Sequence, residues 1–514
     1  MSPPEFRLKW FATLSKSDNS YGQILRSSSI VGGAQGLNYV IGMLRIKAVA
    51  LLLGPAGVGL IGLYQATISL IGTIAGLGIG TSGVREIAAA DRTHDAQSIG
   101  RTVAVLKLAC WVTGFLGWGV TIVFAWPLSV WTFGTGEHWW ALALLGGTLL
   151  LNAVSGGQSA ILQGVRRIGD LARFSILSVI VGTSLSIALY SWLGKNGIVP
   201  VLVMSALTNV GLSWWFARKI PVVHVTIPWR HVWPEARRLV TLGVAFMWGG
   251  LLTGAVDLAT SAMIVRQLGV EANGAYQAAW ALSGMFAGFI LGAMGADFYP
   301  RLTAVANDHP AMNRLVNEQT EVGALLSLPG LMATLAVAPW LMQIFYSVQF
   351  LPGAALLPWF VVGVFGRVIS WPMGYIFIAK GASRLFTVTE TLFAVFRLSL
   401  VIYLLDAQGL VGPSIAIAIV YGLYAVGVAI MTNRITGFYP SLAAMRVIGT
   451  SLCLVCVGFL AQHSLEATPG LIVGCVLTIV SAIYCLRGIA QRLTSEHRVV
   501  RLILQLPGMK ACCS

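Results

Sequence analysis

Apolar stretches of roughly 18 to 25 residues follow one another almost without a break from Ile24 to Leu486. Each is long enough to cross about 30 Å of hydrocarbon at 1.5 Å per helical residue. Only 10% of the 514 residues are charged, against about 25% in an average soluble domain, which excludes a soluble fold. The chain reads as an all-α polytopic membrane protein.

Spans are placed near 28–53, 58–80, 102–125, 139–162, 171–193, 199–217, 239–265, 274–296, 322–344, 354–379, 385–405, 409–431, 447–462 and 471–486, about fourteen TM helices in all. The first 22 residues are polar and basic and lack the apolar core of a cleaved signal peptide. The seven cysteines mostly fall inside apolar runs, where a thiol acts as a small hydrophobe. Cys453 and Cys456 have CxxC spacing but no partner ligands, so neither a disulfide framework nor a metal site is expected.

A net charge of +15 raises the question of nucleic acid. With the N-terminus inside, about 26 of the 33 Lys and Arg fall on the cytoplasmic side, in clusters such as Arg85 to Arg101, Arg166 to Arg173 and Arg218 to Arg238. That is the positive-inside bias of a membrane protein, and no nucleic-acid partner is needed. The tail after Arg487 reads either as a basic amphipathic helix on the inner leaflet or as a disordered basic segment.

The chain also repeats itself. LGPAGVGLIGLYQA (Leu53 to Ala66) is echoed by LGVEANGAYQA (Leu268 to Ala278), and further matches keep an offset of about 212 to 217 residues: Arg85 with Arg301, Pro127 with Pro339, QGVRR from Gln163 with KGASR from Lys380, and YSWLGKNGIV from Tyr190 with YLLDAQGLV from Tyr403. Spans one to six and seven to twelve are therefore two copies of one six-helix unit. An even number of crossings makes the repeat parallel, about an axis along the membrane normal. The expected order is a basic N-terminus (1–27), an N-lobe (28–217), a basic linker (218–238), a C-lobe (239–432), an appended pair, TM13–14 (447–486), and a basic tail (487–514). Two facing bundles with a midplane cavity suit alternating access.

No phosphate-binding GxxxxGK[ST] loop, zinc-spaced His/Cys set or nucleophile elbow occurs, so the chain reads as a transporter with no cofactor, and not as an enzyme. Charges within hydrocarbon cost roughly 2.5 to 3.5 kcal/mol each on insertion scales and normally face a bundle interior. Arg367 and Arg397 lie near mid-span, with Arg45, Lys47, Lys107 and Arg266 nearer span ends; the acids are Asp257 and Glu390. The interior is expected to be mainly cationic and so to favour an anionic substrate over organic cations. Arginine suits phosphate through its planar fork. For Arg367 and Arg397, phosphate contact, an internal salt bridge with Glu390 or Asp257, and snorkelling all fit; Arg45, Lys47 and Arg266 fit either substrate contact or snorkelling to the outer surface. Asp257 falls at the repeat offset from Arg45, so the two either pair across the cavity mouth in one transport state or each has a local partner. Asp257, Glu390 and Arg266 are candidates for coupling or gating. Gln35 and Asn38, among Gly32, Gly33, Gly36 and Gly42, form a small polar face that fits either close helix packing or hydrogen bonding to a sugar. Tyr64 and Gln65, with Tyr276 and Gln277, fit either a functional contact or an anchor at headgroup level, where Tyr is favoured.

At these residues the chain resembles a known family. The run LLLGPAGVGLIGLYQATISLIGTIAGLGIGTSGVREIA, its echo RQLGVEANGAYQAAWALSG and the ILQGVRR element look like the Wzx-type flippases of lipid-linked oligosaccharides such as O-antigen, in the MOP superfamily with the MATE exporters and lipid II flippases. The resemblance implies a V-shaped MATE-like bundle in the bacterial inner membrane with both termini cytoplasmic. It implies translocation of an undecaprenyl-pyrophosphate-linked glycan for polysaccharide and lipopolysaccharide biosynthesis, with cavity arginines at Arg45, Arg367 and Arg397, and a polysaccharide polymerase and glycosyltransferases as possible partners. A lipid II flippase and a MATE-like antiporter are the alternatives. Many relatives have about twelve spans, so TM13–14 is a departure.

Overall fold

Inside a bilayer every backbone N–H and C=O has to be bonded within its own segment, which helices achieve and open sheets do not. The computed structural model, which describes residues 20–92, 96–165, 167–221, 223 and 229–492, accordingly contains helices and no strand among the described residues. The N-terminal 19 residues, the centre of the 218–238 linker and the tail beyond Arg492 lie outside the described residues, and with them the expectations for the basic termini.

The helices run α1 (Ser20–Gly76), α2 (Ile79–Arg92), α3 (Ala96–Phe133), α4 (Trp139–Gly164), α5 (Ile168–Leu193), α6 (Ile198–Ala217), α7 (Trp229–Leu268), α8 (Val270–Ala304), α9 (His309–Ala336), α10 (Ala338–Phe345), α11 (Leu357–Ala379), α12 (Ser383–Gln408), α13 (Gly412–Thr436), α14 (Leu442–Ser464) and α15 (Ala467–Ala490). Among the described residues nine helical stretches are long and apolar enough to cross a membrane, or ten when α9 and α10, bent by 84°, count as one. Gln35–Gly76 and Ile168–Ala217, of 42 and 50 residues, are each about twice the length a crossing needs.

Left-handed glycines show where such stretches turn, and the turns repeat. Gly54 breaks α1 at φ 65°, ψ −172°; its echo Gly269 separates α7 from α8 at φ 92°, ψ 169°. Gly194 ends α5 at φ 57°, ψ −134° before a 3₁₀ turn, and Gly409 ends α12 at φ 59°, ψ −139° before another. A positive φ is cheap only without a Cβ, so the duplication has kept a backbone requirement where the surrounding words have drifted. The fold is therefore an all-helical membrane bundle whose turns recur at the offset seen in the sequence.

Packing divides the described chain into two compact units. Among the described residues, one draws on the chain up to Arg45, Ala75–Ile122 and Ala143–Val244; the other on Ile46–Ile74, Val123–Leu142 and the chain from Ala245 onward. In the first, Ile87, Leu106 and Leu162 are fully buried. In the second, the core is aromatic and aliphatic, around Phe350 and Phe360 on one side and Leu328, Phe365 and Val368 on the other. The α14–α15 pair joins that second cluster through Val455 and Cys485. Gly458 lets α14 close on Met332 and Leu335 of α9, and Arg492, just past α15, donates to Glu321 of α9 at 2.7 Å.

The second unit also explains the echo. Its two copies pack on each other: a Cβ on Gly274 would overlap the Pro55 carbonyl oxygen, and one on Gly59 would overlap that of Val270. Asn273 donates its Nδ2 to the Gly59 carbonyl at 3.0 Å. Small residues here let two backbones approach, as at membrane helix interfaces generally. Tyr64 and Tyr276, candidate headgroup-level anchors, are each only 3% exposed; Tyr64 bonds His138 at 2.8 Å.

Gly274→Ala should lower the thermal midpoint of the purified protein, since the overlap with backbone forces a shift worth about 1–3 kcal/mol. Gly119→Ala, on a helix face with nothing within 4 Å, should leave it unchanged or raise it. Equal midpoints for both variants would contradict the seam.

Candidate functional site

Four helices and the second half of α1 place polar side chains on one shared space in the second unit. On α11 the i, i+4, i+8 positions Arg367, Trp371 and Tyr375 lie on one face; on α12 Glu390, Phe393 and Arg397 do the same; α13 adds Tyr421 and Tyr424, and α7 adds Asp257. These residues, with Ser69 and Thr73 of α1, line a cavity of about 840 Å³, within the range of roughly 300–1,000 Å³ typical of small-molecule sites. A neighbouring cavity of about 430 Å³ shares Arg367, Trp371 and Tyr375 and is bordered by Gly284, Gly288 and Gly292 of α8. Nothing lies within 4 Å of the Cβ positions of those three glycines, so here the glycine stripe leaves room and does not mark a helix contact.

The polar groups are not equivalent. Arg397 is the most deeply placed: its side chain is 9% exposed, and its Nη2 donates to Asp257 Oδ1 at 2.6 Å. Asp257 is 37% exposed and so presents its other edge to the cavity. The Tyr276 hydroxyl also lies against the guanidinium, while the Arg397 Nε is buried with no acceptor. Glu390 accepts from the Tyr424 hydroxyl at 2.5 Å. Arg367 makes no side-chain hydrogen bond or ion pair among the described residues. The expected cationic excess is thus not a count of charges, because two arginines face two carboxylates in the lining. It is a difference in commitment: Asp257 is paired with Arg397 and Glu390 accepts from Tyr424, whereas Arg367 has no side-chain partner among the described residues.

Of the residues singled out in the sequence, the structure brings together Asp257, Arg367, Glu390 and Arg397. For Arg397 the internal salt bridge is the one made, and the local partner of Asp257 is Arg397. Lys47 and Arg266 are used elsewhere. The Lys47 Nζ donates to the carbonyls of Gln343 and Tyr346 at 2.8 and 2.6 Å, a cation on the open C-terminal carbonyls of α10. Arg266 donates to the Val130 carbonyl at 2.9 Å. Arg45, Gln35 and Asn38 belong to the first unit, where Asn38 Nδ2 donates to Ser175 Oγ at 2.6 Å and Gln35 is exposed. Gly36 and Gly42 have no neighbour within 4 Å of a Cβ.

Sequence reasoning missed the aromatic wall of Trp371, Tyr375, Tyr421 and Tyr424. The rings of Trp371 and Tyr375 sit 4.6 Å apart. Their spacing from Arg367 was the available signal, since a helix carries i, i+4 and i+8 on the same face.

Residues 48–355 match the model of a family described as polysaccharide biosynthesis protein. The lipid III flippases of Escherichia coli (strain K12) and Shigella flexneri are each 24% identical over 411 residues, covering 76% of this chain and 95% of theirs. Among solved structures, an inward-facing multidrug resistance MATE transporter of the MOP superfamily superposes with a TM-score of 0.60 at 17% identity, over 78% of this chain and 94% of its own. The lipid II flippase MurJ, in an inward closed conformation, gives 0.60 at 12% identity over 89% and 98%. The fold is that of the MOP transporters.

Removing one member of the buried pair should cost more than removing both. Asp257→Leu strands the Arg397 guanidinium and should destabilise by about 3–5 kcal/mol, whereas Asp257→Leu with Arg397→Met should recover most of the thermal midpoint. A double variant no more stable than Asp257→Leu would rule out the pair as the reason for the loss.

Proposed function

We propose that the chain, which belongs to the polysaccharide biosynthesis protein family, is a flippase that carries an undecaprenyl-diphosphate-linked oligosaccharide across the bacterial inner membrane by alternating access, for O-antigen or related cell-surface polysaccharide. One observation carries the reading: a cavity of about 840 Å³ in the second unit is lined by Arg367, which has no side-chain partner among the described residues, beside an aromatic wall. A diphosphate supplies what that side chain lacks, several acceptor oxygens with which a planar guanidinium makes bidentate, charge-assisted bonds. Away from bulk water such bonds are strong. The substrate therefore completes the site.

Trp371 and Tyr375 give flat apolar faces of the kind that stack on sugar rings, and Tyr421 and Tyr424 add hydroxyls. The polyprenyl chain stays in lipid, where its transfer costs nothing. As phosphate approaches Arg397 it competes with Asp257 for the same guanidinium, and the carboxylate released is placed to take up a proton or a cation. Arg45, Gln35 and Asn38 of the first unit serve the substrate when the two lobes exchange access. The arginine-rich ends of the helices lie in the cytoplasm with both termini, and the glycosyltransferases and polymerase of the glycan act before and after the flip.

An organic cation is a poorer cargo, because Asp257 is ion-paired and Glu390 hydrogen-bonded, whereas the Arg367 charge has no partner among the described residues. Lipid II remains the second reading, favoured by the α14–α15 pair packed on α9, and its diphosphate uses the same arginines. In proteoliposomes the wild type should move a labelled undecaprenyl-diphosphate glycan to the opposite leaflet. Arg367→Ala should slow it about tenfold or more, equivalent to ~1.4 kcal/mol, with Arg367→Lys between the two because it keeps charge without the fork. Export of a cationic dye with no glycan movement, or an undiminished rate in Arg367→Ala, would refute the proposal.

A further inference from the structure

The first unit has a cavity of its own, of about 370 Å³, at the arginine-rich ends of α3, α4 and α6. It shares no residue with the Arg367–Arg397 site. Its lining holds two cations, Lys107 and Arg218, and no acid, and neither cation has an ion-pair partner among the described residues. The Arg218 guanidinium is already oriented: it lies over the rings of Trp214 and Trp215, 4.7 and 5.1 Å from their centroids. Stacking of this kind holds the planar fork in place and leaves its N–H edges free to donate. Gln158 adds a third donor, because its amide oxygen is taken by the Ser213 hydroxyl and its NH₂ is left over.

An anion is the chemistry these groups share, and the surroundings say what kind. From Lys107 the same face of α3 continues, one helical turn at a time, through Trp111 and Phe115. Both rings are exposed, 47% and 53%, and they stack at 5.6 Å. Trp214 is 53% exposed beside the cavity. A polar anionic pocket that opens onto an exposed apolar ridge fits an amphiphile, with a head in the pocket and a chain along the ridge. Basic pockets between membrane helices on the cytoplasmic side take anionic headgroups, and Trp is at home at that depth.

We propose that this pocket is a binding site for the phosphodiester headgroup of an anionic membrane phospholipid, with Lys107 and Arg218 on the phosphate, Gln158 on its ester or glycerol oxygens, and an acyl chain over Trp111 and Phe115. The site is separate from the transport cavity, so it stands whether or not the transport reading does. It gives the first unit an attachment to one leaflet that the second unit's cavity does not supply.

The full-length protein in detergent tests this with phosphatidylglycerol, phosphatidylcholine and inorganic phosphate as probes. Phosphatidylglycerol should raise the thermal midpoint of the wild type, and the shift should fall by half or more in Lys107→Ala/Arg218→Ala. Phosphatidylcholine and inorganic phosphate should give no shift. The unmodified protein supplies a second measurement: phosphatidylglycerol with a photoreactive acyl chain should crosslink to the segment holding Trp111 and Phe115, and unlabelled polyprenyl diphosphate should not displace it. An equal shift in the double variant, a shift reproduced by inorganic phosphate, crosslinks confined to other segments, or displacement by the polyprenyl diphosphate would each overturn the assignment.

Discussion

A guanidinium held in the middle of a membrane protein has to be matched, and the 2.6 Å bond between Arg397 and Asp257 is where this chain does so. Desolvating either charge alone costs several kcal/mol, so the presence of one on α12 dictates the other on α7. The pair joins two helices that are far apart in sequence and fixes which faces of them meet. It is also asymmetric: Arg397 is buried, and Asp257 keeps an edge toward the cavity. A fully enclosed pair would be a strut, whereas one with an open carboxylate edge can exchange a hydrogen bond with a third group. The proposed transport chemistry follows from that asymmetry, with Arg367 as the first donor an incoming anion meets.

The duplication provides the frame for this arrangement. The two copies share little wording, yet the glycines at 54 and 269, and at 194 and 409, share φ and ψ to within about 40°, because the chain can reverse that way only without a Cβ. At the corner marked by the first of these pairs, the copies touch through glycine, and Asn273 bonds the opposite backbone. The same short motif thus sets the turn and the contact, which accounts for its survival in both halves.

Composition and periodicity made the fold class legible, since runs of membrane-spanning length leave few alternatives, and the echo made the two-copy plan legible. Arg367, Arg397, Asp257 and Glu390 stood out because charges are rare in hydrocarbon. Rarity does not say which charge serves which purpose. Lys47 and Arg266 looked the same in sequence, yet both are spent on carbonyl oxygens at helix ends, a use that depends on where distant segments such as α10 come to lie. The tyrosines of the echo show the same limit: Tyr favours headgroup depth as a statistical matter, but here Tyr64 packs against Phe133 and His138 and Tyr276 against Phe360, residues distant in sequence. The aromatic wall escaped notice because aromatic residues at helical spacing are common in any apolar span, and only the arginine on the same face distinguishes them.

The proposed cargo is a polyprenyl-diphosphate carrying an oligosaccharide. Depleting the protein in its native cell and identifying, by mass spectrometry, the lipid-linked intermediate that accumulates on the inner leaflet tests it most directly. An undecaprenyl-diphosphate-linked oligosaccharide of the cell-surface polysaccharide should build up while lipid II stays constant. Accumulation of lipid II in its place, or of no lipid-linked glycan at all, would contradict the claim.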